Sequence, residues 1–343
     1  VVDALGNILS HDGERSNSAG IRDSSFISPM TNSPPPALKR TPISEVVPTG
    51  IRVIDGLVPI GKGQRMGIFA PAGVGKSTLL GALARNTKCD VVVAALIGER
   101  GREVREFIDE VLGPDALARS VVVYATSDEP PARRMLAAST ATAIAESFRA
   151  QGKHVLLMVD SLTRVARAIR EVSLCMGELP VRQGYTPSVF TELPRLLERA
   201  GTNEHGAITA LYTVLSSDEN DTDVLREELL SLLDGHLCMT NQVALRGIRP
   251  AIDPTRSLSR LCPALSSTAE LSAQTSVRTA IARLWKEKDM LMFGGTADES
   301  LKHLLSLEPT LNAFLAQNPH ESIPLEQTKQ QLGALAALIS KGP

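Results

Sequence analysis

Aromatic residues make up only 3% of the 343-residue chain, with Trp285 the single tryptophan. Stacking platforms of the kind that hold single-stranded nucleic acid are therefore scarce, and the core has to be aliphatic. An excess of one charge is also lacking: 36 Lys plus Arg stand against 38 Asp plus Glu, a formal net charge of -2. No global basic field is present to hold nucleic acid or anionic lipid, which leaves only a local basic patch open. Apolar runs such as Val91 to Ile97 and Val155 to Val159 fall far short of the ~20 residues of a membrane-spanning helix, so a soluble protein is expected. Cys89, Cys175, Cys238 and Cys262 show neither C-x-x-C spacing nor a nearby His at ligand spacing. That pattern favours reduced, buried thiols over zinc or a disulfide framework, and a reducing cytoplasm. Residue 1 is Val, and Val1-Val2-Asp3-Ala4-Leu5-Gly6-Asn7 opens in a strand-like phrase, so the sequence reads as part of a longer protein.

What is present is globular composition, 43% hydrophobic and 22% charged, in a chain long enough for about two domains. Residues 1–45 are rich in Ser, Pro, Asn and Gly, include Pro34-Pro35-Pro36, and read as an extended lead-in. From residue 46 to 263 short apolar runs alternate with amphipathic segments: Arg65 to Ala70 then Lys76 to Arg85, Asp90 to Ile97 then Arg102 to Leu112. The alternation continues with Ser120 to Ala125 then Arg133 to Arg149, and His154 to Asp160 then Leu162 to Val172. Repeated β-α-β units predict an α/β fold with a mostly parallel sheet whose ligands collect at the strand C-termini. Ala207 to Leu215 and Gly235 to Thr240 extend that sheet. Residues 264–343 lose the strand signal, and Ser266 to Met292, Asp298 to Leu307 and Leu325 to Ile339 predict a small all-α C-terminal domain.

The segment Arg65 to Thr78 joins a strand to a helix through Ala70-Pro71-Ala72-Gly73-Val74-Gly75-Lys76-Ser77-Thr78, a phosphate-binding loop. Backbone N-H groups from about Gly73 to Thr78 suit nucleotide phosphates, and Ala72, Gly73, Val74 and Gly75 form the loop itself. Lys76 bridges phosphates and Ser77 is a Mg2+ ligand. Ala70 replaces the first glycine of the pattern. Asp160 ends an apolar strand at the same sheet edge and suits the Mg2+ shell through water, with a helix N-cap as its plainer role. The strand ending at Ile97 leads into Gly98-Glu99-Arg100-Gly101-Arg102-Glu103, where Glu99 is the candidate to activate water. On charge pattern alone, a solvated helix start is the better reading of that cluster.

Three stretches decide the family comparison: Gly98 to Phe107, Asp160-Ser161-Leu162-Thr163-Arg164, and Gly184-Tyr185-Thr186-Pro187-Ser188-Val189-Phe190 through Leu196-Leu197-Glu198-Arg199-Ala200-Gly201. Together they resemble the ATPases of bacterial type III secretion systems, close relatives of flagellar export ATPases and similar to the catalytic subunits of rotary ATP synthases. The resemblance is strong over about residues 41–265 and weak in the tail. It implies a RecA-like P-loop NTPase core, with Glu99 as catalytic glutamate and Arg100 beside it. Ser257-Leu258-Ser259-Arg260 matches the family's Ser-x-Ser-Arg element, which implies that Arg260 is an arginine finger for a neighbour's nucleotide; without the family it is a surface Arg closing a turn. Arg249, ahead of Pro250-Ala251-Ile252-Asp253, stands where the family usually has a Tyr that stacks on adenine, and a guanidinium plane also stacks on a base. Gly177 to Pro187 resembles the segment lining the central pore in relatives, and is locally also a plain surface loop. The start of the chain resembles the exit from the family's N-terminal β-barrel, which is expected to be missing.

The resemblance implies a Mg2+-dependent ATPase acting as a homohexamer, peripheral at the cytoplasmic face of the bacterial inner membrane. It would release effectors from chaperones, unfold them and promote export, with the central stalk, stator proteins, export gate and chaperone-effector complexes as partners. No nucleic acid is expected. A flagellar export ATPase shares every motif. A rotary catalytic subunit is disfavoured because the tail offers only Asp298-Glu299 as an acidic run, and a hexameric RNA translocase because of the charge balance and few aromatics. A non-enzymatic nucleotide-binding scaffold leaves Glu99 and Arg260 without a purpose.

Overall fold

Alternating apolar runs and amphipathic segments build one large sheet covered on both faces. The computed structural model describes residues 1–9, 30–216, 223–291 and 297–342; residues 10–29 of the expected lead-in, and Met292, lie outside the described residues. The strands are β1 (Val2–Asp3), β2 (Arg65–Ala70), β3 (Val91–Glu99), β4 (Ser120–Thr126), β5 (His154–Asp160), β6 (Gly201–Thr202), β7 (Ala207–Leu215), β8 (Gly235–Met239) and β9 (Ile252–Ser259). Among the described residues the sheet runs β1-β4-β3-β5-β7-β2-β8-β9, with β6 beside β7. Neighbours from β1 to β8 along that path are parallel. Only β6 and β9 pair antiparallel, with β7 and β8.

The period of two along each strand sorts side chains into two layers. On β3, Val92, Ala94 and Leu96 join Ile68, Leu80, Leu83, Leu156 and Met158 on one face. Val93, Ala95 and Ile97 face the other way, with Phe69, Ala137, Ala141, Val159, Leu162 and Tyr212. Each large aliphatic side chain buried this way contributes about 1.5–3 kcal/mol. Helices Thr268–Leu291, Glu299–Leu315 and Leu325–Ile339 add Val277, Ile281, Leu304, Phe314 and Leu335 to the first layer. They pack on each other and on the short helix Arg52–Leu57. No helix among the described residues is long and apolar enough to cross a membrane.

Several expected elements differ from the observed ones. β3 runs two residues past Ile97 and so carries Glu99 as its last residue. The helix after it changes at Phe107 into a π-type turn through Leu112. Glu299–Leu315 continues through Pro309, well past Leu307. β9 had no clear strand signal, because Pro254 interrupts it; a sheet edge tolerates Pro, since one side of an edge strand needs no ladder donor. The expectation of four buried thiols needs correcting: Cys238 is buried, Cys89 and Cys262 are half-buried, and Cys175 is exposed. Cys175 closes helix Leu162–Cys175 directly before the exposed Met176, where the helix has left the core.

Candidate active site

Parallel pairing brings the ends of β2, β3, β5 and β7 to one edge of the sheet. The loop after β2 turns into helix Lys76–Asn86 through Gly75, whose φ of +98° is a left-handed backbone open to glycine at no steric cost. Gly75 caps the helix without a side-chain bond, and the first helical N-H groups have no carbonyl a turn earlier. Ala72, Gly73, Ser77 and Thr78 are exposed around this helix start, while Val74 is buried and anchors the loop. Unpaired N-H groups at the positive end of a helix dipole form an anion site.

Lys76 reaches from that helix to two carboxylates. Its Nζ pairs with Asp160 Oδ1 at the end of β5, and lies 3.7 Å from Glu99 Oε1 at the end of β3. Asp160 is buried and also accepts a 2.6 Å hydrogen bond from Thr213 Oγ1 on β7. Glu99 is held from the other side by Arg164, whose Nη2 lies 3.1 Å from Glu99 Oε2. Gly98 makes room for this contact: a Cβ there would meet Arg164 Cδ at 2.8 Å, and its φ is +69°. Burial, a hydrogen bond shared with Glu103 and the nearby Asp160 charge push the Glu99 carboxyl up to about 7, against the pull of Lys76 and Arg164. The same shared bond holds Glu103 below the usual carboxylate range. A carboxyl poised near neutrality and partly desolvated suits a general base.

A divalent cation fits the residues present. Ser161 Oγ is buried beside Asp160 without a hydrogen-bond partner, a polar atom that a bound oxygen would complete. Among the described residues no three His, Cys, Asp or Glu side chains gather to hold a metal. An ion bound by Asp160 and Ser77 would draw its other ligands from phosphate and water, the usual arrangement for Mg2+.

Beyond Thr78 a cavity of about 290 Å3 opens between helix Lys76–Asn86, Arg249-Pro250 and Gln317-Asn318-Pro319. Ile51, Val74, Leu79 and Ala82 give it an apolar floor. Gln317 ties its walls together: the backbone N-H donates to Arg249 O at 2.7 Å, and Nε2 donates to Gly50 O at 2.6 Å. Arg249 lines this cavity.

Two expected site residues lie outside this cluster. The Arg100 side chain is 77% exposed and pairs with Glu103 at 3.2 Å. Arg260 follows β9, level with the first residues of β2, where its N-H donates to Asp234 O. The six residues of β2, roughly 17 Å at about 3.3 Å per residue, separate it from the phosphate loop. Sequence reasoning gave no role to Arg164, Glu103, Thr213 or Gln317. Arg164 and Glu103 stood inside quoted motifs, whereas nothing local to Gln317 marks it as a pocket wall.

A strand-loop-helix phosphate site beside a base-sized pocket is the signature of a nucleotide enzyme, and the family comparison specifies which kind. Residues 50–259 match the model of the ATP synthase alpha/beta family, nucleotide-binding domain. The chain belongs to that family. It is an ATPase, 46% identical over 335 residues to the type 3 secretion system ATPase of Xanthomonas euvesicatoria, covering 96% of this chain and 75% of the relative. It is also 46% identical over 314 residues to the flagellum-specific ATP synthase of Bacillus subtilis, covering 90% and 72%. Among solved structures it is similar to the assembled ATPase EscN in complex with its central stalk EscO, from the enteropathogenic E. coli type III secretion system. That match has a TM-score of 0.86 at 39% identity and covers 98% of this chain and 80% of that one. Family membership makes ATP the nucleotide.

Proposed function

We propose that the chain hydrolyses Mg2+-ATP at the interfaces of a homohexamer and thereby energises chaperone release, unfolding and export of proteins through a type III secretion apparatus. The convergence of Lys76, Asp160 and Glu99 beside the phosphate loop carries the reading. The loop backbone from Ala72 to Thr78 cradles the phosphates, and Lys76 moves from the carboxylates to the β- and γ-phosphates. The Glu99 carboxylate takes a proton as water attacks the γ-phosphorus and ADP departs. Mg2+ held by Ser77 and Asp160 would neutralise phosphate charge. Arg164 keeps the Glu99 carboxylate aimed, and Arg100 contributes from the outer side of the same turn. Arg249 covers the base.

The distance of Arg260 from its own phosphate loop supports a finger in trans: it is too far to serve its own nucleotide, so it serves a neighbour's. The relative in complex with a central stalk supports such a stalk as partner here. Stator proteins, an export gate and chaperone-effector complexes complete the set, at the cytoplasmic face of the bacterial inner membrane. Equal identity to a flagellar relative supports a second reading, export through a flagellar apparatus. Turnover of Mg2+-ATP measured against protein concentration tests the ring: specific activity rises as subunits meet. A rate strictly proportional to concentration and unaffected by Arg260→Ala would overturn the shared site.

A further inference from the structure

Helix Val224–Leu232 packs on the second layer through Leu225 and Leu229. The residue after each, Arg226 and Leu230, lies one position around on the flank of the helix. These two are one turn apart, about 6 Å along the axis. Leu230 O accepts a 3.0 Å hydrogen bond from Arg260 Nη2, while the Arg226 guanidinium lies over the Phe69 ring, 5.6 Å from its centroid. One helix therefore gathers two guanidinium groups, one carried by it and one docked on it. Arg226 is half-buried, its Nε is buried without a hydrogen-bond partner, and among the described residues no ion pair or hydrogen bond reaches its guanidinium. Nearby cations are spent within the chain: Arg278 donates to Leu57 O at 3.3 Å and Ser257 O at 2.5 Å, and Arg65 pairs with Asp234 at 3.1 Å. The surroundings are positive as well. Burial and the charges of Arg226, Arg260 and Arg278 hold the His236 imidazole below its usual range, against its bond to Arg256 O.

A partly desolvated guanidinium without a partner costs free energy that an arriving anion returns. The phosphates bound by the same chain do not suit that part. Phe69 faces the second layer, whereas helix Lys76–Asn86 packs through Leu80 and Leu83 on the first, so the sheet stands between Arg226 and the helix that starts its own phosphate site. Arg260, docked one turn along, is likewise remote from its own phosphate loop. Phosphate oxygens are the anion that a planar donor fork matches best, with two parallel bonds. We propose that Arg226 acts in trans beside Arg260, as a second cation on the triphosphate held by the neighbouring subunit. The proposal rests on the shared-site reading of Arg260. Two forks one turn apart suit adjoining phosphates, so that one neutralises charge the other cannot reach.

The test mixes crippled subunits. Arg226→Gln and Glu99→Gln chains are combined in equal amounts at a dilution that separates subunits, then concentrated together, and Mg2+-ATP turnover is measured. A site on an Arg226→Gln chain keeps its own Glu99 and takes Arg226 from a Glu99→Gln neighbour, so it is complete; random head-to-tail assembly makes about a quarter of the interfaces so. Arg226→Gln alone is expected to lower kcat about 10²-fold, the scale of one lost donor to transition-state charge, and the mixture to recover to about a quarter of the wild-type rate. Wild-type turnover by Arg226→Gln alone overturns the proposal. So does a mixture no more active than its two components, because a residue that acts within its own subunit cannot be supplied by a neighbour. Should Arg226→Gln lose melting temperature, Arg226→Met, which keeps the stem over Phe69, takes its place in the mixture. Arg260→Ala mixed with Glu99→Gln is the reference. Recovery there without recovery for Arg226 leaves the shared site standing and removes Arg226 alone, whereas recovery in neither mixture overturns both.

Discussion

Arg164 Nη2 lies 3.1 Å from Glu99 Oε2, across the glycine that precedes that glutamate in β3. The contact sets a cation against a carboxyl that burial, Glu103 and Asp160 drive toward protonation. Ionisation of Glu99 is therefore a balance between a desolvated, acid-crowded site and two cations, Lys76 and Arg164.

That balance fixes a pH dependence. A carboxyl lifted to about 7 is protonated and unable to take a proton below that pH, so kcat/KM for Mg2+-ATP is expected to rise with pH through about 7. Arg164→Ala removes a cation that favours the ionised form, which raises the Glu99 value further and moves the acid limb to higher pH. An acid limb left in place would show that Arg164 does not act on Glu99.

Glu99→Gln keeps the shape of the side chain and removes the base. Turnover is expected to fall by about 10²–10⁴-fold, the usual worth of general base catalysis, with nucleotide binding retained. Calorimetric titration with a non-hydrolysable ATP analogue, alongside the rate, separates the two effects.

Asp160→Asn removes the carboxylate that Lys76 and Thr213 contact. Turnover is expected to fall and its midpoint in Mg2+ to move to higher concentration. An unchanged Mg2+ titration would take Asp160 out of the metal shell.

Arg260→Ala is expected to cost about 10³-fold in turnover, at the low end for arginine fingers. Among the described residues its only side-chain hydrogen bond is to Leu230 O at 3.0 Å, at an exposed position, so thermal stability should stay near that of the wild type. A large loss of melting temperature would mark it as a structural residue.

Glu146 and Arg199 form a buried pair at 2.7 Å, with side chains 2% and 5% exposed. Glu146→Ala removes the carboxylate that pairs with the buried Arg199, and is expected to destabilise the fold by about 3–5 kcal/mol in urea denaturation. A loss below about 1 kcal/mol would mean that Arg199 finds solvent or another acceptor in the variant.

The sequence by itself determined the features written in a few adjacent residues. The β2-loop-helix turn follows from apolar alternation up to Ala70, glycines where φ is positive and a helix starting at Lys76; β5 ending at Asp160 follows from an unbroken apolar run. Such signals are local because periodicity and backbone conformation act over one or two turns. Tertiary structure alone decided which charges meet. Lys76, Glu99 and Asp160 come from three segments, and only the strand order β3-β5-β7-β2 puts them on one edge. The raised Glu99 value depends on burial and on Glu103 and Asp160 together, and desolvation is a property of surroundings that no spacing encodes. The cavity beside the phosphate loop is the furthest case: Ile51, Arg249 and Gln317 are distant in sequence, and Gln317 becomes a wall only because its bonds to Gly50 and Arg249 close the chain around it.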